Sequence, residues 1–496
     1  MIRYFFIILF ITTLLFSQNI IPNENDSNNV IKQSKISELR SELDDIFSDP
    51  NFVNAFWGAS IYSLKTGETI YKLNSDKSFK PGSVLKLFTT STALLLLGPD
   101  YKFKTTFFTD GKIINGVLEG NLIIVGFGDP TITSGDGKEN DDFKSWIDSL
   151  NHQGIYSIKG DIIFYDDNFE NSKYGKSLVA RYDYNCSAPF SGSFVLNENN
   201  YEIKMEATEP GSLSKISFNP NGSKYSIINN VFTNSKIKEN QIDYFIEDVY
   251  KIIIDGQISS SSSPHIIRFP INNPSEFFAN TFYEVLVEEG LVVKGSPKIN
   301  SELNRQLDIN ELNYLFEVHS LRLTDIAAEI NKNSNNIYAE QLLKAIGYEL
   351  YGYGSTKNGL IAIEKIIQQM GINPTNVQIV DGSGVSPINL ITPNQVTKLL
   401  SYMYKSDSFE EFYKSLSIAG FDGTLIERMT KSTAENNFRG KSGYLENVRS
   451  LAGYIKTTDN EPIALVLIAN NFLVPSQLAS YAQDKICNLL ANFTRN

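Results

Sequence analysis

The sequence is poor in cysteine and histidine, the residues from which disulfide frameworks and zinc sites are built. Its two cysteines, Cys186 and Cys487, lie far apart and predict two lone thiols, although their pairing in an oxidising compartment stays open. The three histidines, His152, His265 and His319, lack the close spacing of a zinc site. We therefore expect no metal and no other cofactor.

Dense runs of basic residues are also missing. The formal net charge is −12, and no segment of the chain concentrates Lys and Arg. Because nucleic-acid binding needs a clustered basic surface, the sequence predicts no nucleic-acid partner. A composition of 42% hydrophobic and 20% charged residues is typical of an ordinary globular protein, and the length of 496 residues leaves room for several domains.

Long apolar segments are limited to the N-terminus. Arg3 precedes an apolar run over 4–16, which is shorter than the roughly 20 residues needed to span a bilayer. The run is typical of a secretory signal peptide over 1–17, with Ser17 at the end of the cleaved segment; an uncleaved anchor is the alternative. We therefore expect an exported protein, secreted into the periplasm.

After the signal segment the chain divides into four stretches. The Asn-rich segment 18–34 predicts a flexible leader. Residues 35–100 predict a helix, a hairpin with Lys65-Thr66-Gly67 in its turn, and a buried apolar helix. Residues 101–304 hold short β-like runs and one helix, and 305–496 return to mixed helices and strands. This order predicts an α+β protein in which one domain is split by an inserted β-rich region of one or two domains.

The segment PGSVLKLFTTSTALLLLG places the pattern Ser-x-x-Lys at the start of the apolar helix. Residues i and i+3 share a helix face, so Lys86 is placed to take the proton from the hydroxyl of Ser83. Burial lowers the pKa of a lysine and favours its neutral, basic form. The same pattern recurs at 212–215 and 235–238, in polar loops with no buried helix behind them. Taken alone, the pattern more often marks an ordinary helix start with a surface lysine.

A second polar triplet, Ser334-Asn335-Asn336, lies at a break between two helical runs. A serine hydroxyl there can relay a proton, and an asparagine amide can both donate to and accept from an amide substrate. The chain is rich in Ser and Asn, so a polar helix junction is the better interpretation of this triplet when it stands alone.

A third triplet, Lys441-Ser442-Gly443, precedes the apolar strand SLAGYIKTT. Its lysine and serine offer a positive charge and a hydroxyl to a substrate carboxylate, and Gly443 lets a substrate backbone approach a strand edge closely. A simple basic turn is the alternative. Lys65-Thr66-Gly67 fits the same pattern, but its place in a hairpin upstream of Ser83 identifies it as turn chemistry.

The ordered set Ser-x-x-Lys, Ser-x-Asn and Lys-(Ser/Thr)-Gly is far more specific than any one of its members. With this set the sequence resembles the D-alanyl-D-alanine carboxypeptidase/endopeptidase family, the class C low-molecular-mass penicillin-binding proteins. Stretches such as GNLIIVGFGDPTIT, NKNSNNIYAEQLL and AGFDGTLIERM extend the resemblance over nearly the whole mature chain.

The resemblance implies a β-lactamase/transpeptidase-like domain, an antiparallel sheet flanked by helices, that is split after the serine helix. It implies hydrolysis of D-Ala-D-Ala ends, and of cross-links, in peptidoglycan stem peptides, with β-lactam antibiotics as covalent inhibitors. In that chemistry Ser83 is the acylated nucleophile, Lys86 is the base, and Ser334 relays the proton to the leaving amine.

The resemblance also implies the substrate contacts. Asn336 binds the substrate amide, Lys441 and Ser442 hold the terminal carboxylate, and Gly443 completes the triplet at the strand edge. The backbone N–H groups of Ser83 and Tyr444 form the oxyanion hole.

Three positions depart from the family pattern: Ser442 replaces a usual Thr, Asn335 a common Asp, and Tyr444 a common Thr. The last change puts the balance of carboxypeptidase and endopeptidase activity in question. A β-lactamase or esterase of the same fold and a non-catalytic peptidoglycan-binding protein are the alternatives, and the oligomeric state stays open. The segment VQIV predicts a strand that runs into a turn at 381–384; this turn and Asp422-Gly423-Thr424 are interpreted as structural turns near the site.

Overall fold

The computed structural model describes residues 24–135, 141–171, 190–219, 226–248, 251–271, 273–303 and 307–495. The predicted signal segment and Cys186 lie outside these ranges, and Cys487 is a buried free thiol. Within the described ranges, no helix is both long enough and apolar enough to cross a bilayer.

The largest sheet joins the two ends of the chain. It has six antiparallel strands in the order β18-β19-β20-β21-β1-β2. Their bounds are β1 Phe56–Ser63, β2 Thr69–Leu73, β18 Ser417–Ile418, β19 Arg439–Leu445, β20 Val448–Lys456 and β21 Pro462–Asn470. The central strands β20 and β21 are almost wholly buried, so both faces of the sheet are covered.

Alternate residues of β21 enter two separate hydrophobic cores, as the two-residue period of a strand requires. Val466 and Ile468 face a core shared with six helices, and Leu465 and Leu467 face a core shared with the first and last helices. The first group comprises α2 Lys86–Leu96, α5 Leu323–Lys332, α6 Asn336–Tyr351, α7 Thr356–Gln369, α8 Pro393–Tyr404 and α9 Phe409–Ser415. The second pair is α1 Glu24–Phe47 and α10 Ser476–Asn492.

Two features of the N-terminal part follow from local chemistry. Lys65-Thr66-Gly67 connects β1 to β2, with Gly67 at φ +75°, so the hairpin turn is confirmed. Helix α1 begins at Glu24, inside the segment 18–34 for which a flexible leader was predicted, and that prediction is wrong from Glu24 onwards. Once Ile36, Leu39 and Leu43 fix the helix on the core, each further residue is added at little cost.

A β-rich region follows α2. A five-stranded sheet in the order β16-β8-β6-β3-β17 and a four-stranded sheet in the order β15-β7-β5-β4 enclose an aromatic core with two helices. The elements are β3 Lys104–Thr109, β4 Lys112–Ile114, β5 Val117–Glu119, β6 Leu122–Gly126, α3 Asp142–His152, β7 Ser157–Ile158, β8 Ile162–Tyr165, α4 Pro274–Glu288, β15 Val292–Val293, β16 Pro297–Ile299 and β17 Asn313–His319.

Two three-stranded sheets form a smaller unit within this region. They share one core, to which β9 and β14 contribute from one sheet and β11 and β13 from the other. The strands are β9 Asn200–Glu206, β10 Lys215–Asn219, β11 Ser226–Asn234, β12 Gln241–Asp248, β13 Lys251–Ser259 and β14 His265–Pro270. The whole chain is thus a mixed α+β protein.

Three details differ from the sequence analysis. Strand β17 lies after residue 304, yet it pairs with β3 of the β-rich region. The sequence did not predict this pairing, because strands about two hundred residues apart leave no local signal. Helix α3 was not predicted. The expected strand over VQIV makes only an isolated bridge between Gln378 and Leu390. Side chains satisfy the backbone there, as the Asn389 Oδ1 that accepts from the N–H of Val380 illustrates.

Candidate active site

Ser83 lies in a short 3-10 helix, Gly82–Leu85, that leads directly into α2. Gly82 opens this turn at φ +55°, a conformation that favours glycine. Helix α2 is buried from Lys86 to Leu94, as the apolar sequence predicted. The turn therefore holds the hydroxyl of Ser83 at the end of a rigid, buried element.

The amine of Lys86 is fully buried and makes three hydrogen bonds. Its Nζ donates to Ser83 Oγ at 3.1 Å, to Asn336 Oδ1 at 2.6 Å and to the carbonyl of Ser383 at 2.7 Å. Burial lowers the pKa of Lys86 to about 7, against the opposing influence of the Asp381 and Glu340 carboxylates. An amine with this pKa is available as a neutral base near neutral pH.

The second triplet is divided by the start of α6. Asn336 is its first residue and reaches Lys86, whereas Asn335 is the N-cap and accepts from the N–H of Tyr338 at 3.3 Å. Ser334 occupies the left-handed region at φ +62°, and its side chain is half-buried. Among the residues described, Ser334 makes no hydrogen bond to Ser83 or Lys86.

The third triplet lies within β19, next to the turn that carries Ser83. Lys441 is fully buried, and its Nζ donates to the carbonyl of Ser442 at 2.9 Å. Burial, with the nearby charge of Lys86, holds the pKa of Lys441 well below its usual range. Two buried amines thus share one region, which favours the arrival of an anion. Ser442 Oγ donates to Thr424 Oγ1 at 2.7 Å, so the predicted turn at 422–424 contacts the triplet.

Gly443 allows a close approach between β19 and the serine turn. A Cβ at this position would lie 2.8 Å from the carbonyl oxygen of Pro81 and 3.0 Å from the amide nitrogen of Ser83. The backbone nitrogen of Tyr444 lies 3.2 Å from a Cβ built on Gly82, the residue that precedes Ser83. The two amide groups named for the oxyanion hole are therefore neighbours. Gly443 serves this protein contact, in addition to any role toward substrate.

The side chain of Tyr444 is 63% exposed, and the Arg449 guanidinium lies 3.8 Å from the centre of its ring. The two residues are opposite each other on β19 and β20. Ser442 and Tyr444 share one face of β19, because alternate residues of a strand point the same way. The departure at position 444 thus places a cation and an aromatic ring beside the serine turn.

Two buried acids lie behind Lys86: Asp381, in the turn predicted from the sequence, and Glu340, which the sequence did not indicate. Asp381 Oδ1 accepts from the N–H of Gly384 at 2.8 Å and Oδ2 accepts from the N–H of Ser386 at 2.7 Å. Glu340 Oε1 accepts from the N–H of Gly382 at 2.9 Å. The glycine-rich stretch 381–384 was the available signal, and its location next to Lys86 agrees with its interpretation as a structural turn near the site.

The inserted region reaches the second triplet through one loop. Asn197, Glu198 and Asn199 all have φ between 49° and 60°, a left-handed run that is uncommon outside glycine. Glu198 Oε1 accepts from Asn335 Nδ2 at 3.0 Å, and Glu329 Oε1 accepts from the same nitrogen at 3.2 Å. The amide at position 335 is therefore a donor to two carboxylates, where an aspartate would add a third negative charge.

Within the described ranges, no three His, Cys, Asp or Glu side chains are grouped so that they could hold a metal ion.

Comparison with known proteins agrees with this geometry. Residues 39–493 match the model of the D-Ala-D-Ala carboxypeptidase 3 (S13) family. A D-alanyl-D-alanine carboxypeptidase from Actinomadura sp. is 26% identical over 473 residues, 93% of this chain and 86% of that protein. The D-alanyl-D-alanine carboxypeptidase DacB of Haemophilus influenzae is 26% identical over 83% of this chain and 84% of its own.

The fold is that of a solved relative. The crystal structure of penicillin binding protein 4 (dacB) from Haemophilus influenzae superposes with a TM-score of 0.78, at 23% identity, over 91% of this chain and 99% of that one. Motif order, site geometry and family match agree, and the chain belongs to the D-Ala-D-Ala carboxypeptidase 3 (S13) family.

Proposed function

We propose that the protein is a serine-type D-alanyl-D-alanine carboxypeptidase and endopeptidase that hydrolyses peptidoglycan stem peptides through an acyl-enzyme on Ser83. One observation carries the proposal: the buried Nζ of Lys86 lies 3.1 Å from Ser83 Oγ, and burial lowers the pKa of this lysine to about 7. A neutral amine at hydrogen-bond distance is what a serine hydroxyl needs to become a nucleophile.

Acylation begins when Ser83 Oγ attacks the carbonyl carbon of the D-Ala-D-Ala amide and its proton moves to Lys86 Nζ. The carbonyl oxygen becomes an oxyanion, which the N–H groups of Ser83 and Tyr444 stabilise from their adjacent backbone segments. The C–N bond then breaks, and the proton that Lys86 Nζ received passes through Ser334 to the leaving amine, so that Lys86 is neutral again. Water hydrolyses the resulting ester, with Lys86 again as the base.

Substrate binding uses the second amine and its neighbours. The terminal carboxylate of the peptide pairs with Lys441 and with the hydroxyl of Ser442, and Asn336 binds the amide. Because burial and Lys86 hold the pKa of Lys441 well below its usual range, an incoming carboxylate provides the counter-charge that favours its protonated form. Substrate binding is thereby coupled to proton uptake at the site.

The same site accounts for β-lactams as covalent inhibitors, since their strained amide presents the same carbonyl to Ser83. A structure of the Haemophilus influenzae relative complexed with a novel β-lactam superposes on this chain with a TM-score of 0.72 at 24% identity. We further propose that residues 1–17 are a signal peptide that exports the protein to the periplasm, and that the transpeptidase-like domain comprises the stretches on either side of the inserted region.

Product analysis tests the activity. The protein and a Ser83→Ala variant are each incubated with a peptide ending in D-Ala-D-Ala and with a cross-linked muropeptide dimer. Release of D-Ala from the first, or of monomers from the second, by the unaltered protein alone supports the proposal and measures the balance of the two activities. If neither substrate is cleaved while the protein binds peptidoglycan, the non-catalytic interpretation is correct.

A further inference from the structure

Helix α6 carries a buried acid one turn after Asn336 that the proposed reaction does not use. Glu340 is 2% exposed, and its Oε1 accepts hydrogen bonds from the N–H groups of Gly382, at 2.9 Å, and Ser383, at 2.8 Å. Placing a carboxylate in a protein interior costs free energy unless such partners offset the cost. The two hydrogen bonds offset part of this cost, and they also hold the backbone of Gly382 and Ser383 in place.

The loop held by Glu340 is bonded on its other side to the serine helix. The carbonyl of Ser383 accepts from Lys86 Nζ at 2.7 Å, and the carbonyl of Gly382 accepts from Thr89 Oγ1 at 2.7 Å. The N–H groups of these two residues thus face one carboxylate while their carbonyls face α2. A displacement of Glu340 would move the carbonyl that fixes the direction of the lysine amine.

Charged groups from four elements surround this contact. Asp381 in the loop and Glu340 on α6 favour the protonated form of Lys86, and Lys86 in turn lowers the pKa of Lys441 on β19. Burial and Asp381 raise the pKa of Glu340, against the opposing influence of the hydrogen bond from Ser383 and of Lys344 one turn further along α6. Burial thus favours the neutral form of both Lys86 and Glu340, and Glu340 acts on the site through its hydrogen bonds to the loop.

We propose that Glu340 is a positioning residue for the general base: it fixes the Ser383 carbonyl against Lys86 Nζ. The inference rests on the proposed function, because it assumes that Lys86 activates Ser83. The expected effect is on the rate of acylation, because the Ser383 carbonyl sets the direction of the lysine amine.

Two substitutions test this role. Glu340→Gln keeps an oxygen acceptor at the same distance from the loop, whereas Glu340→Asp keeps the carboxyl group and withdraws it by one methylene. The rate of acylation by a fluorescent penicillin is measured against pH for both. We expect Glu340→Gln to keep the rate, with an unmoved acidic limb, because its amide oxygen still accepts from the N–H groups of Gly382 and Ser383. We expect Glu340→Asp to keep the limb and lose about tenfold in rate.

Glu461→Gln is the matched control, since Glu461 is also 2% exposed and is bonded to Ser63 and Arg495, away from this loop. It should lower the thermal stability without changing the rate of acylation. The positioning role is refuted if Glu340→Asp keeps the full rate or if Glu340→Gln loses about tenfold. Where one variant does not fold, the other decides. Failure of the unaltered protein to acylate would instead refute the proposed function itself.

Discussion

At the scale of single residues, the site depends on two amines that the fold keeps out of water. Lys86 and Lys441 are both fully buried, and for each of them burial is the largest influence on the pKa. A buried amine without a counter-charge costs free energy, which the protein limits by letting the amine lose its proton. The same loss of charge makes Lys86 a base.

Acylation should therefore depend on pH with an acidic limb. Below the Lys86 pKa of about 7 the amine is protonated and cannot accept the proton of Ser83, so the rate should fall as pH decreases through that value. The second-order rate of reaction with a fluorescent penicillin, measured against pH, checks this. A rate that stays level well below the pKa, in protein whose fluorescence spectrum is unchanged, would rule Lys86 out as the base.

The two triplets that contain Lys and Gly should differ in function. Lys441→Ala removes the buried amine that the substrate carboxylate would protonate and pair with, and it should slow acylation by an amount equivalent to about 2 kcal/mol. Lys65→Ala removes an exposed cation from the hairpin turn and should leave the rate unchanged. Rate constants for both variants with one penicillin make the comparison. Equal losses of rate would contradict the assignment of the carboxylate site to Lys441, and a loss only in Lys65→Ala would move that assignment to Lys65.

Residue types and their order were sufficient to place Ser83, Lys86 and Asn336 together. They were not sufficient to find Glu340, because an acid in a long helix resembles any surface acid until its neighbours are known. The contact between Asn335 and Glu198 could not be predicted either, since Glu198 belongs to the inserted region, far from Asn335 in sequence.

At the scale of elements, the junction between α5 and α6 explains a departure from the family pattern. Asn335 caps α6 and donates to the carboxylates of Glu198 and Glu329. An aspartate also caps a helix well, but it has no proton to donate when ionised. Asparagine at this position is thus suited to the two acids beside it.

Asn335→Asp should consequently destabilise the protein at neutral pH by about 2 kcal/mol, through two lost hydrogen bonds and a new repulsion. The two acids raise the pKa of the new carboxylate in the folded state above its unfolded value. The loss is therefore complete above the folded pKa and disappears as pH falls below the unfolded one. Thermal unfolding against pH measures this. Asn335→Ser, which keeps a cap without the charge, should lose stability equally at every pH, and the same behaviour in Asn335→Asp would contradict the repulsion.

Element prediction succeeded where periodicity was strong and failed where side chains satisfied the backbone. The sequence predicted the break between α5 and α6 and the buried helix α2. It missed α3, although Asp141 caps that helix and Phe143, Trp146, Ile147 and Leu150 recur at helical spacing. The wrongly predicted strand before residue 381 has apolar residues, but its backbone bonds go to Asn389 and to a single bridge.

At the scale of the whole molecule, α6 joins the inserted region to the six-stranded sheet. Gln341 Nε2 donates to the carbonyls of Gly128 and Gly192, and Lys344 Nζ donates to those of Glu170 and Ser191. The helix that begins at Asn336 is therefore bonded to the insertion by side chains in its second and third turns. Such long-range contacts leave no trace in the sequence.

Lys344→Met should weaken this junction. The carbonyls of Glu170 and Ser191 would each lose a buried donor, which should lower the free energy of unfolding by about 2 kcal/mol. Thermal unfolding checks the change. Lys357→Met, at an exposed position on the neighbouring helix α7, is the control and should leave stability within about 0.5 kcal/mol. Equal melting temperatures for the two variants would contradict the importance of the junction.

The central claim is that Ser83 is acylated with Lys86 as its base, and one measurement tests it most directly. The protein and its Ser83→Ala variant are incubated with a fluorescent penicillin, and each is analysed by intact mass and peptide mapping. The account predicts one stable adduct, on the peptide that contains Ser83, and none in the variant. An adduct on another residue, rapid turnover of the penicillin without an adduct, or no reaction in folded protein would contradict it.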